Sequence, residues 1–146
     1  MKIKKIGLLV ASVSGFLFSA AIPAMAVPKY QLKFVGIQCY QTEDWTGPDE
    51  PYLIIDGRQV WRAGSMNNGD VQDLRIVPPV TFFSSSQIKL YDADAGSWFD
   101  RDDHLGTVTV TSSQAGENGQ GMNHIGRFRG DGASYDLYYT VQQIEW

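Results

Sequence analysis

The chain has 146 residues, of which 12% are aromatic and 19% are charged, and its net charge is −4 at pH 7. This length fits a single domain built around one core. The acidic balance argues against a nucleic-acid-binding protein, which needs a basic surface to meet the phosphate backbone. A single cysteine, Cys39, excludes an internal disulfide framework, and its apolar surroundings predict a buried thiol.

Residues 1–26 have the pattern of a secretory signal peptide. Three lysines precede an apolar stretch, and small residues at Ala24 and Ala26 predict cleavage after Ala26. A membrane anchor is the weaker interpretation because serine, glycine and proline interrupt the apolar run. We therefore expect a secreted or periplasmic domain at residues 27–146. That part of the chain carries 9 basic and 16 acidic residues, a net charge of −7.

Nearly every segment of residues 27–146 alternates between apolar and polar side chains, which is the pattern of half-buried strands. The pattern predicts an all-β, eight-stranded antiparallel β-sandwich, and no stretch has a helical period. The predicted strands are 30–39, 52–55, 59–61, 74–82, 88–90, 108–110, 125–128 and 135–141.

Glycine and proline predict local features between and within these strands. Gly36 lies where the alternation changes parity and predicts a β-bulge. Asp56-Gly57 is a strong two-residue hairpin turn. The Pro78-Pro79 pair interrupts the fourth predicted strand, as expected at a sheet edge or a kink. The Gly-, Ser-, Asn- and Gln-rich segment 112–121 predicts a mobile loop.

If successive strands alternate in direction, the connections fall into two groups at opposite ends of the sandwich. One end receives the connections at 41–50, 63–72, 92–104 and 129–134. The other end receives the turns at 56–57, 84–86 and 112–122. The first end is therefore expected to collect most of the acidic loops.

Two of these loops carry many carboxylates close together in sequence. Five aspartates lie between two apolar strands in the segment 87–110, and Asp44, Asp49 and Glu50 lie in 41–53. Carboxylates gathered in this way repel one another unless a cation neutralises them. Hard oxygen ligands in this number are typical of calcium, which takes six to eight oxygens. The eight candidate ligands are Asp44, Asp49, Glu50, Asp92, Asp94, Asp100, Asp102 and Asp103.

Both acidic loops resemble the calcium-binding loops of the C2 domain, a calcium-dependent phospholipid-binding β-sandwich. In the first loop, the segment 44–52 reads DWTGPDEPY, with Glu50 where the family has its second aspartate. In the third loop, Asp92-Ala93-Asp94 and Asp100 fit the family spacing, and the segment 103–106 fits its closing part. A strand at 133–141 that comes last in the chain implies the type II permutation of a single exported domain.

The resemblance implies bound Ca²⁺ and a set of ligands. The implied ligands are Asp44, Glu50, Asp92, Asp94, Asp100 and Asp103, with Asp49 and Asp102 as substitutes. The third loop is about three residues longer than the family pattern, so Asp100 and Asp103 remain alternatives for its last ligand. Glu50 in place of aspartate adds a methylene group.

Aromatic residues at the tips of the same loops predict an interaction surface. Trp45, Trp98 and Phe99 are expected to contact a phospholipid membrane or another anionic partner once calcium has cancelled the loop charge. The domain is expected to be a monomer. The alternative function is a calcium-stabilised structural or protein-interaction sandwich that does not bind lipid.

Other functions have weaker signals. An EF-hand is rejected because its sixth position would be Ser97 instead of glycine and because the flanking segments are strands. Motifs of catalytic nucleophiles and phosphate loops are missing from the sequence, so we do not expect an enzyme. Arg129-Gly130-Asp131 matches the tripeptide that integrins recognise, although a Gly-Asp-Gly segment is ordinary turn chemistry.

Overall fold

The computed structural model describes residues 27–43, 47–94 and 101–145. Two short 3-10 helices, Ser112–Ala115 and Glu117–Gly119, occur in this part of the chain. The same residues form nine strands: β1 (Lys29–Gln41), β2 (Pro51–Ile55), β3 (Arg58–Arg62), β4 (Val71–Asp73), β5 (Val80–Phe82), β6 (Ser85–Asp92), β7 (Asp103–Thr111), β8 (Met122–Phe128) and β9 (Ser134–Glu145).

The strands form two antiparallel sheets. One sheet has the order β4-β1-β9-β8, and β5 also pairs with β1. The other sheet has the order β3-β2-β6-β7. The all-β antiparallel sandwich predicted from the alternation is therefore confirmed.

One apolar core contains side chains from both sheets. In β6 the residues of one parity are buried, and in β9 Leu137 and Val141 are fully buried. Complete burial of one such side chain stabilises a fold by about 1.5–3 kcal/mol. Cys39 is also fully buried, as predicted.

The edge of the first sheet differs from the prediction in detail. β4 and β5 both pair with β1, so they act as two pieces of one edge strand. The prediction of strand at Leu74 and Ile76 was wrong, because this segment is a turn in which the Val77 N–H donates to the Leu74 carbonyl at 3.0 Å. Leu74 is buried, whereas Ile76 is 86% exposed. The two prolines that follow lack the N–H groups that would continue a ladder.

Two local predictions are confirmed. At the bulge, Phe34 pairs with Tyr139 and Gly36 pairs with Tyr138, which leaves one extra residue between them in β1. At the hairpin between β2 and β3, Asp56 and Gly57 both have positive φ angles, 47° and 85°. This conformation is the reason that an Asp-Gly pair is favoured in a two-residue hairpin turn.

Segment 112–121 is more regular than the mobile loop that its composition predicts. It contains the two 3-10 helices, and Ala115 is buried against the core. The Gln114 side-chain amide donates a hydrogen bond to the Tyr139 hydroxyl at 3.0 Å. Glycine and serine composition does not reveal such tertiary contacts.

The register of the strands confirms that the acidic connections share one end of the sandwich. Gln41 pairs with Ser134, so the connections after β1 and before β9 are neighbours. In the other sheet Pro51 pairs with Asp92, and Asp92 pairs with Asp103. We call this end the acidic pole.

Residues 1–26 lie outside the described part of the chain, so signal-peptide cleavage after Ala26 stays a prediction. Among the residues that the structure does describe, no helix combines the length and the apolar character needed to cross a membrane.

Candidate metal centre

Asp92 lies at the centre of the acidic pole, at the end of β6. It is 1% exposed, and its Oδ1 accepts hydrogen bonds from the backbone N–H of Glu50 at 2.5 Å and of Ala93 at 2.9 Å. Burial raises its pKa to about 6, and the neighbouring Asp49 and Glu50 add to the rise while the two hydrogen bonds oppose it. Asp92 therefore joins the first acidic loop to the third while carrying a charge that is costly near neutral pH.

Asp49, in the first acidic loop, is fully buried. Its carboxylate accepts hydrogen bonds from the Glu43 N–H, at 3.1 Å to Oδ1 and 3.0 Å to Oδ2. The Tyr135 hydroxyl donates to Oδ2 at 2.6 Å. These three hydrogen bonds engage both oxygens of this predicted ligand within the protein.

Asp102 and Asp94 differ in their surroundings. Asp102 is exposed, and its Oδ2 accepts a hydrogen bond from the Tyr52 hydroxyl at 2.6 Å. Burial, reinforced by this carboxylate, raises the pKa of Tyr52. Asp94 is half-buried after the end of β6. Of these two predicted ligands, Asp102 is therefore hydrogen-bonded to Tyr52 of β2.

Three carboxylates at the acidic pole come close enough to share one ion. Glu43, Asp103 and Asp131 each offer an oxygen, and these three oxygens lie within 4.8 Å of one another. Oxygens bound to one calcium ion at about 2.3–2.6 Å can be separated by up to roughly twice that distance. The donor chemistry and the spacing therefore fit a calcium ion. We call Glu43, Asp103 and Asp131 the acid triad.

Only Asp103 of the acid triad was among the predicted ligands. Glu43 was available to sequence reasoning as a further acid in the first acidic loop. Asp131 lies in the 129–134 turn, which the topology already placed at the same end. The turn is pressed against β7, where the Gly130 N–H donates to the Leu105 carbonyl at 2.7 Å.

The remaining predicted site residues lie outside the described part of the chain. They are the ligands Asp44 and Asp100 and the aromatic residues Trp45, Trp98 and Phe99. Their roles stay predictions from the sequence.

The Arg129-Gly130-Asp131 tripeptide is engaged within the domain. The Arg129 guanidinium donates to Asp136 at 2.5 Å and to the backbone carbonyls of Phe128 and Tyr135 at 2.8 and 2.5 Å. Asp131 belongs to the acid triad. Both charged side chains therefore make contacts within the domain, which argues against an adhesion motif.

The sequence matches no protein-family model and no curated protein, so the comparison depends on structure. The chain superimposes on a structure of the two C2 domains of extended synaptotagmin 2 with a TM-score of 0.59 and 18% identity, covering 94% of this chain and 48% of that one. A calcium-bound form of those domains gives 0.56 and 16%, covering 82% and 46%.

The first C2 domain of a plant extended synaptotagmin 1 gives a TM-score of 0.54 at 10% identity, covering 82% of this chain and 96% of that one. The chain has a C2-like fold. It spans about half the length of the first two synaptotagmin chains, and nearly the whole of the isolated plant C2 domain. In this C2-like sandwich, the acidic pole is formed by the connections that follow β1 and β6 and by the turn that precedes β9.

Proposed function

We propose that this protein is an exported calcium-binding C2-like module whose calcium-loaded loops dock on a phospholipid membrane. The acid triad is the observation that carries the proposal, because its carboxylates come from the connection after β1, the start of β7 and the turn before β9, and their oxygens lie within 4.8 Å of one another. Like charges this close repel one another, so a bound divalent cation would stabilise their arrangement.

The acidic residues that the structure describes at this pole fall into two groups. Glu43, Asp103 and Asp131 are the proposed ligands on one side, and the half-buried Glu50 and Asp94 flank the buried Asp92. Calcium would supply the positive charge that the pole lacks, together with coordination positions open to phosphate oxygens. An affinity of roughly 10⁻⁴ to 10⁻³ M is expected, as in extracellular calcium modules.

The membrane part of the proposal depends on charge and on the aromatic residues of the loops. A domain with a net charge of −7 is repelled by an anionic lipid surface while its acidic pole is free of cations. Calcium removes that repulsion locally. Trp45, Trp98 and Phe99 then enter the interfacial zone, where an aromatic ring with a polar edge is favoured.

The strand order supports the type II permutation. β9, which pairs along the length of β1, comes last in the chain, and Lys29 pairs with Glu145 at the end opposite to the acidic pole. The start of β1 and the end of β9 therefore lie away from the acidic pole. Export as a secreted or periplasmic protein remains our inference from residues 1–26.

Vesicle co-sedimentation tests the proposal. We expect the protein to sediment with phosphatidylserine-containing vesicles in millimolar calcium and to stay in solution in chelator. Trp98→Ala should weaken vesicle binding by about tenfold, because a buried aromatic contributes on the order of 1.5–3 kcal/mol. Calcium affinity should stay unchanged in the same variant.

Phe83→Ala is the matched control, because Phe83 is an aromatic residue that is 59% exposed and lies at the opposite end of the sandwich. This variant should bind vesicles like the unmodified protein. Equal sedimentation with calcium and with chelator would contradict calcium-dependent docking. A calcium-induced rise in melting temperature without vesicle binding would favour the structural or protein-interaction alternative.

A further inference from the structure

A buried tyrosine joins the last strand to the first acidic loop. Tyr135, near the start of β9, is fully buried, and its hydroxyl donates to Asp49 Oδ2 at 2.6 Å. Asp49 is also fully buried, and burying a carboxylate is costly unless hydrogen bonds replace its hydration. The hydroxyl of Tyr135 therefore supplies part of what Asp49 needs to remain in the interior.

Asp49 is also fixed through its backbone. Its N–H donates to the Met66 carbonyl at 3.0 Å, and the Met66 N–H donates back to the Asp49 carbonyl at 2.7 Å. The loop between β3 and β4 thus holds the position of Asp49 independently of its side chain. Because both its backbone and its side chain are hydrogen-bonded, Asp49 can restrict the position of a residue that it contacts.

The side chain of Asp49 contacts Glu43, a member of the acid triad. Both carboxylate oxygens of Asp49 accept the Glu43 N–H, so the backbone of Glu43 is hydrogen-bonded to Asp49. The Glu43 carboxylate in turn contributes to the acid triad with Asp103 and Asp131. Without a cation these three charges repel one another, so their approach requires a structural support.

We propose that Tyr135 and Asp49 are positioning residues, in which the tyrosine hydroxyl holds the Asp49 carboxylate and that carboxylate holds Glu43 ready for a divalent cation. This inference rests on the proposed calcium-binding function. It assigns Asp49 to the support of the site instead of to direct contact with the ion. Preorganised ligands bind more tightly because less conformational entropy is lost on binding.

Tyr135→Phe tests the inference, since it removes one hydroxyl and leaves the buried ring. Calcium titration by calorimetry on the full-length protein should show a dissociation constant about five to ten times higher than that of the unmodified protein. In chelator, amide hydrogen exchange at Glu43 should accelerate, because the acceptor of its N–H is no longer held.

Tyr139→Phe is the matched control. Tyr139 lies on the same strand and the same face, is 2% exposed, and its hydroxyl accepts a hydrogen bond from Gln114 instead of contacting the acidic pole. Both variants lose a hydrogen bond of a tyrosine hydroxyl, and Tyr135→Phe also loses the hydrogen bond between that hydroxyl and the Cys39 thiol, so both should melt at a lower temperature. Only Tyr135→Phe should lose calcium affinity and protection at Glu43.

The outcomes separate this inference from the function on which it rests. A calcium affinity in Tyr135→Phe within twofold of the unmodified protein would overturn the positioning role alone. Equal losses of affinity in the two tyrosine variants would overturn it as well, because they would reflect general destabilisation. Failure of the unmodified protein to bind calcium would overturn the proposed function and the positioning role together.

Discussion

Asp92→Asn is expected to stabilise the calcium-free protein near neutral pH and to abolish its stabilisation by calcium. Asp92 is 1% exposed, and its burial raises its pKa from 3.8 to about 6. Asparagine retains a side-chain oxygen that can accept from Glu50 and Ala93, the two donors that Asp92 Oδ1 now engages. The substitution therefore removes the charge while keeping the hydrogen bonds.

The sign of the effect follows from the direction of the pKa change. A carboxyl whose pKa is higher in the folded than in the unfolded state favours folding below about pH 4, and this contribution is lost as the pH rises through about 6. Ionisation of Asp92 then lowers the free energy of unfolding by about 3 kcal/mol, because each unit by which the pKa is raised corresponds to about 1.4 kcal/mol. Asp92→Asn removes that loss.

Urea unfolding between pH 4 and pH 8 in chelator measures the difference. The variant and the unmodified protein should be equally stable at the acidic end, and the variant should be more stable by about 2–3 kcal/mol at the neutral end. In saturating calcium the difference should narrow, because a neutral amide is a weaker calcium ligand than a carboxylate and the variant gains less stability from the ion. A constant difference across this pH range would contradict the burial of a charged Asp92.

Gly130→Ala is expected to destabilise the protein by about 2 kcal/mol and to lower its melting temperature by roughly 5–10 °C. A Cβ atom at this position would lie 2.8 Å from the Leu105 carbonyl oxygen and 2.9 Å from that of His104. Both neighbours are backbone atoms of β7, so neither can rotate away. The turn that carries Asp131 would be pushed from the acid triad.

Gly64→Ala is the control, because a Cβ atom at Gly64 would meet no heavy atom within 4 Å and the residue has no positive φ. Thermal unfolding of both variants, with and without calcium, gives the comparison. Gly130→Ala should melt well below Gly64→Ala, and calcium should raise its melting temperature less. Equal melting temperatures for the two variants would show that the turn tolerates displacement from β7.

Alternation along the chain was sufficient to predict the sandwich, because the period of two is a property of each strand by itself. It was not sufficient to place β4, which has only three residues and is defined by its pairing with β1. The turn at Leu74 has the apolar residues that are typical of a strand, but its backbone does not have the conformation of a strand. Local pattern cannot distinguish the two.

The common location of the acidic loops was predictable from the alternation of strand directions, and the register of β2, β6 and β7 bears it out. The environment of each acid was not predictable. Asp49 and Asp92 are both buried, and Asp49 is held by a tyrosine 86 residues away. The contribution of Asp131 depends on the close packing of Gly130 against β7. Such contacts exist only in the folded chain.

Calorimetric titration with calcium tests most directly whether carboxylates from separate parts of the chain bind one ion at the acidic pole. The unmodified protein should bind saturably, with a dissociation constant of roughly 10⁻⁴ to 10⁻³ M. Asp103→Asn should weaken binding at least tenfold, and Glu117→Gln, which removes one acid from the opposite end, should not. Absence of saturable binding, or equal affinity in Asp103→Asn and Glu117→Gln, would contradict the account.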